Sequence, residues 1–118
     1  MILTVCVRSE SEEDANITIA LVEPGLDTMQ AAVGGNIEAV YPSDDSKWVA
    51  YVKDNKDDPF NPVGDTLARM CGWVSLPGDQ LHGPVIFLGE GEEGEDADVP
   101  RSVLEAITLL WELAGRAA

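Results

Sequence analysis

The sequence predicts a single α+β domain: a mainly antiparallel sheet of about five strands with helices on one face, in the element order ββαββαβα. Three observations carry this. Short apolar runs, β-branched or alternating, recur from Ile2 to Leu88 and are too short for helices. The tract Val33-Gly34-Gly35-Asn36 closes a helical pattern and opens an alternating one at once. From Asp98 onward apolar residues recur at helical spacing almost to the end of the chain. No internal repeat and no linker divides the 118 residues.

Each element has its own reason. Ile2 to Val7 is apolar and β-branched, a buried strand. A charged loop near residues 9–15 (Glu10-Ser11-Glu12-Glu13-Asp14) leads to Ile17, Ile19 and Leu21, which alternate with Thr18 and Ala20 in a second strand ending at Pro24-Gly25. The two predict a hairpin. Asp27 is a candidate N-cap for a helix carrying Met29, Ala32 and Val33, which Gly34 or Gly35 ends in the left-handed conformation. Asn36 to Tyr41 alternates, with Ile37, Ala39 and Tyr41 on one face. Pro42-Ser43-Asp44-Asp45-Ser46 turns the chain into the partner strand Trp48 to Val52.

After the loop Asp54 to Pro59, Asn61-Pro62 reads as an N-cap followed by proline at the first helical position. That helix directs Val63, Leu67 and Met70 inward and stops at Gly72. Trp73 to Leu81 is irregular. Val85-Ile86-Phe87-Leu88 is continuously apolar and predicts a strand buried on both faces. Residues 89–98 are a second acidic loop, too charged to bury and expected to be mobile, so that replacing Glu90 to Asp98 by a short neutral turn should spare folding. Asp98 is expected to cap the last helix, with Pro100 in its first turn. Val103, Leu104, Ile107, Leu110, Trp111 and Ala114 form its apolar face, opposite Glu105, Thr108, Glu112 and Arg116.

Composition narrows the function. A chain of this length, 45% hydrophobic, buries a core without metal or disulfide staples. Its 22 acids against seven bases give a net charge of −15, which repels nucleic-acid phosphates and anionic lipid. Direct nucleic-acid and membrane binding are therefore not expected. A basic partner protein is, with attraction that salt weakens. Acid excess also keeps proteins soluble and monomeric, and in some organisms is a proteome-wide habit. Cys6 and Cys71 read as small buried hydrophobes; sequence does not establish whether they pair. The start of the chain lacks the basic and long apolar segments of a signal peptide, and no stretch is long enough to span a bilayer, so a cytoplasmic location is expected.

Candidate chemistry is sparse. Gly89-Glu90-Gly91-Glu92-Glu93-Gly94 matches G-x-G-x-x-G after a strand, but three of its intervening residues are Glu, which repels a pyrophosphate, and the next helix starts late. No cofactor is expected. Asp54-Asn55-Lys56-Asp57-Asp58-Pro59 places Lys at the third position and Pro where a calcium loop needs Gly, so no dedicated metal site is expected. His82 is the sole histidine and falls in a turn, an exposed position. Ser75 lacks a nucleophile elbow, and Cys71 has no local catalytic signature. The reading is no enzyme. Trp111 belongs to the core face of its helix. Trp48 and Trp73 are either core or, if exposed, anchors of a protein interface ringed by Asp44, Asp45, Asp57 and Asp58.

Gly34-Gly35-Asn36-Ile37-Glu38-Ala39-Val40 resembles a family of small bacteriophage and actinobacterial mobile-element domains of unknown function. The Asn61-Pro62 helix start with Thr66-Leu67-Ala68, and Gly83-Pro84-Val85-Ile86 leading to Leu88 and an acidic loop, fit the same pattern over roughly residues 17–98. Asp57-Asp58-Pro59-Phe60 and the length of the acidic loop depart from it. The resemblance implies no catalytic residues; it implies a small accessory phage protein acting inside a bacterial host. A monomer or weak homodimer is expected. Three functions follow: non-enzymatic binding of a basic host or phage protein, a DNA mimic occupying a nucleic-acid site, or a small enzyme or nucleotide-binding protein. An acidic stripe, an exposed aromatic patch, or a pocket gathering His82 with Cys71 or an Asp would respectively favour mimicry, protein binding and catalysis.

Overall fold

The computed structural model describes residues 1–11, 14–54 and 57–117, with residues 9–11, 14, 15 and 113–117 described by backbone alone. Glu12, Glu13, Asn55 and Lys56 thus lie outside the described residues, and of Ala114 and Arg116 only the backbone is described. The elements are β1 (Ile2–Ser11), β2 (Asp14–Val22), α1 (Leu26–Val33), β3 (Ile37–Val40), β4 (Trp48–Lys53), α2 (Pro62–Met70), β5 (Val85–Glu90), β6 (Asp96–Ala97) and α3 (Arg101–Ala117). The sheet runs β2-β1-β5-β4-β3, with β6 added beside β5, and every pair is antiparallel. This is the predicted α+β order with one short strand more. The β1–β2 hairpin is also longer than its acidic sequence suggests: pairing continues through a bulge to Ser11 opposite Asp14.

Period-two alternation sorts the central strands into two cores. Trp48, Ala50 and Val52 of β4 and Val85 and Phe87 of β5 join Val5 and Val7 beneath α2 and α3, which contribute Leu67, Ala68, Val103 and Ile107. Val49, Ile86 and Leu88 point to the other side, where Ile2 and the α1 residues Met29 and Val33 cover them. The run Val85 to Leu88 is thus buried on both faces, as its continuous hydrophobicity predicts. The expected helical layer consists of α2 and α3; α1 lies across the sheet from them.

Helix ends follow local chemistry with two exceptions. Gly34 closes α1 in the left-handed conformation and donates its N–H to the Gln30 carbonyl at 2.9 Å. Asn61 caps α2 by accepting from Gly64 N at 2.9 Å, with Pro62 in the first turn. The residue before α1, however, is Gly25; Asp27 lies inside the first turn, where its charge still meets the helix dipole. Asp98 does not cap α3 either. Its carboxylate accepts the N–H of Leu3 at 2.7 Å.

That bond explains why the second acidic loop is folded further than its charge predicts. The chain at 96–99 fills the gap where β1 parts from β5: Ala97 pairs with Gly89, Val99 N donates to Leu3 O at 2.8 Å, and Asp96 accepts from Gly25 N at 2.9 Å. Gly89 is required by this close approach, since a Cβ there would collide with the carbonyl oxygen of Asp98. Only the tip, closed by Gly94 N to Gly91 O at 3.0 Å, remains a turn.

Several burial expectations are corrected. Trp111 is 55% exposed, although Val103 and Ile107 beneath the same helix are buried. An amphipathic period identifies a stripe but not how much sheet lies below it. Met70 is exposed as well, because the stripe that meets the sheet is Gly64, Leu67, Ala68 and Cys71. Cys6 is only half-buried, and both cysteines are free. Trp48 is wholly core: it is 1% exposed, its ring tilts against Phe87 at 5.6 Å between centroids, and its Nε1–H donates to Cys71 O at 2.8 Å.

Candidate interaction clefts around Tyr41

Two clefts adjoin at the β3 end of the sheet. The first, about 250 Å³, is floored by Val40, Val52 and Leu81 and lined by Glu38, Tyr41, Lys53, Trp73, Asp79 and His82. The second, about 220 Å³, is lined by Tyr41, Asp44, Asp45, Lys47, Glu90 and Glu92 above the buried Trp48. Tyr41 is common to both and is 54% exposed. Six acidic residues and two lysines therefore line the two clefts, which meet at one half-exposed aromatic residue.

The wall of the first cleft opposite β3 is the irregular segment 73–82, held by side chains of α2. Asp65, buried at the start of that helix, accepts Arg69 Nε at 2.7 Å and Leu81 N at 3.1 Å. Arg69 in turn donates to Asp79 O at 2.8 Å and lies 4.6 Å from the centroid of the Trp73 ring, a cation–π contact. One ion pair thus ties the helix to both ends of the wall. Asn61, fully buried, completes the anchoring: its amide donates to Val7 O at 3.0 Å and Gly83 O at 2.8 Å.

The second cleft is held from the other end of α2. Ser43 N donates to Gly72 O at 2.8 Å, and Asp44 accepts Ser46 N at 3.0 Å, which folds the turn over the Trp48–Cys71 hydrogen bond. Lys47 has φ +62°, rare for a side chain of its kind, and its carbonyl accepts Glu90 N at 3.0 Å. The acidic turn before β4 and the acidic hairpin after β5 are thereby set against each other.

The predicted interface residues are divided by this geometry. Asp44, Asp45 and Trp73 fall into the clefts. Trp48 cannot anchor a partner, because it is core. Asp57 and Asp58 line neither cleft, although Asp58 borders the first through its ion pair with Lys53 at 3.8 Å. Tyr41, Glu38, Asp79, Glu90 and Glu92 were not among the interface residues expected from sequence; Tyr41 carried a signal, an aromatic residue next to the acidic turn. His82 is half-buried rather than exposed: its Nδ1 lies 3.0 Å from Asp58 O, and its ring meets Phe60 edge-on at 6.1 Å.

Chemically the site is suited to holding cations and aromatic or aliphatic stems. Burial, then the Coulomb field of Asp44, pushes the Cys71 thiol up to about 11, so it is protonated and a poor nucleophile near neutrality. Burial, followed by Asp96 and other neighbours, also raises the Tyr51 hydroxyl. Among the described residues no group of three His, Cys, Asp or Glu side chains is placed to hold a metal ion, and no helix is long and apolar enough to cross a membrane.

The family model described as "Domain of unknown function (DUF3846)" matches residues 3–112. No curated protein and no solved structure matches significantly.

Proposed function

We propose that this chain, which belongs to the DUF3846 family of domains of unknown function, is a small acidic accessory protein that acts by non-enzymatic binding to a basic host or phage protein. The observation that carries this reading is the pair of clefts sharing the half-exposed Tyr41, which six acidic residues line between them. Lysine or arginine side chains of a partner would enter the acidic clefts while an apolar stem packs on Tyr41 and Trp73. A phage origin and a location in the bacterial cytoplasm go with this reading and rest on the family resemblance.

Affinity capture from bacterial lysate at low and high salt tests it, with bound proteins identified by mass spectrometry. Wild-type protein should retain a basic protein at low salt and release it at high salt. The variant Asp44→Lys/Asp45→Lys/Glu92→Lys should lose it, and Glu105→Lys/Glu112→Lys on α3 should retain it. Equal capture by all three proteins would refute the clefts as the site. Release of the partner by added DNA would instead favour the DNA-mimic reading, in which the carboxylates stand in for phosphates.

A further inference from the structure

The far edge of the sheet has a different character. Strand β2 is an outer strand of nine residues, and among the described residues nothing pairs with its outer side. Natural edge strands are blunted by shortness, charge or proline. The opposite edge, β3, is four residues long, contains Glu38 and runs into Pro42. From Asn16 to Val22, by contrast, β2 holds no charged residue and no proline, in a chain where 29 of 118 residues are charged (22 acidic and seven basic). Register puts Leu21 opposite Leu3 and Ile19 opposite Val5, hence on the α2–α3 face, yet Ile19 is 47% and Leu21 61% exposed.

We propose that β2 pairs edge to edge with β2 of a second copy of this chain, antiparallel about a two-fold axis at Ile19, joining two sheets into one. The occupant follows from charge and symmetry. A basic partner would find no carboxylate between Asn16 and Val22 to meet, whereas another uncharged strand completes the backbone hydrogen bonds. In that register Ile19 faces Ile19, Ile17 faces Leu21 and Thr18 faces Ala20, so each apolar residue on the α2–α3 face meets an apolar one. The flanking acids Asp14 and Glu23 fall opposite Pro24 and Ala15 rather than opposite each other. The edge lies at the other end of the sheet from the Tyr41 clefts, so both surfaces can be occupied together.

Salt separates this interaction from the proposed partner binding. Two copies each carry −15, so added salt screens their repulsion and should strengthen self-pairing, while it weakens attraction to a basic protein. Sedimentation equilibrium of the full chain over a range of concentrations, at low and high salt, is the test. A dimer that grows with concentration and with salt is expected. Ile19→Lys, which sets two ammonium groups against each other at the two-fold axis, should weaken dimerisation at least about ten-fold while far-UV circular dichroism and the urea midpoint are kept, a loss of roughly 1.4 kcal/mol or more. Leu21→Thr, which retains strand propensity, should shift the equilibrium in the same direction by less. A monomer under every condition would overturn self-pairing and leave the edge to a strand of another protein. Dimerisation of Ile19→Lys and Leu21→Thr equal to wild type would place the interface elsewhere and overturn it as well.

Discussion

The side-chain amide of Asn61 donates to the main-chain carbonyl of Val7 at 3.0 Å, across 54 residues of sequence. The same side chain accepts the Gly64 N–H and donates to Gly83 O, so one buried amide caps α2 and ties it both to β1 and to the segment entering β5. Cap, strand and cleft wall share a single polar residue. Asn61→Ala removes a cap worth about 1 kcal/mol and leaves two carbonyls short of a donor, each costing about 1–3 kcal/mol. A loss of roughly 3–5 kcal/mol in urea unfolding is expected, whereas a loss below about 1 kcal/mol would show that water replaces the amide.

The Asp65–Arg69 pair should behave asymmetrically. Asp65 is buried and Arg69 is partly exposed. Arg69→Leu leaves the buried carboxylate, among the described residues, with the Leu81 N–H alone and should cost about 1–3 kcal/mol, and it should free the Trp73 side of the cleft. The double variant Asp65→Leu/Arg69→Leu should recover part of that loss. Urea denaturation of both variants, with Trp fluorescence reporting on Trp73, measures this directly.

The acidic hairpin should divide into a dispensable tip and an indispensable base. Replacing Glu92 and Glu93 by Ser should leave the unfolding midpoint unchanged within error. Asp98→Ala, which strands the Leu3 N–H, and Asp96→Ala, which strands that of Gly25, should each cost about 0.5–1.5 kcal/mol. Gly89→Ala forces the 96–99 segment away from β5 and should cost about 1–3 kcal/mol. Thermal melts of the four variants would separate the two halves.

Stability should fall in alkali for a specific reason. The folded pKa of Cys71 lies near 11, above the ordinary thiol value of 9.0. Between those values the unfolded chain loses a proton that the folded chain keeps, so the cysteine's contribution, complete below pH 9, is lost as pH rises towards 11. Cys71→Ala should flatten this part of the pH–stability curve, although the raised Tyr51 hydroxyl contributes a slope of the same sign. In the native protein at pH 8, a thiol reagent should modify Cys6 well before Cys71.

Much of the fold was legible because it is encoded locally. The Gly34 terminus of α1, the Asn61-Pro62 start of α2 and the doubly buried run Val85 to Leu88 each depend on a few adjacent residues whose backbone or burial preferences admit one solution. The misplacements share one cause. Asp27 and Asp98 are good caps by residue type, but Gly25 and Leu3 compete for them or displace them through contacts that the sequence does not display. Trp111 lies on an apolar stripe longer than the sheet contact beneath it.

The sequence by itself therefore determined the element order apart from the short β6, the two-sided burial of the central strand and the acidity of the surface. Tertiary structure decided where Trp48 and Tyr41 lie. Both are aromatics beside the same acidic turn, yet packing on Phe87 and the Cys71 carbonyl draws one into the core and leaves the other between the clefts. The clefts themselves join residues from β3, the turn before β4, the segment after α2 and the end of β5. These become neighbours through the antiparallel order of the sheet and the hydrogen bonds of Arg69 and Lys47. No local pattern encodes that meeting, because the energy that creates it comes from pairings between distant segments.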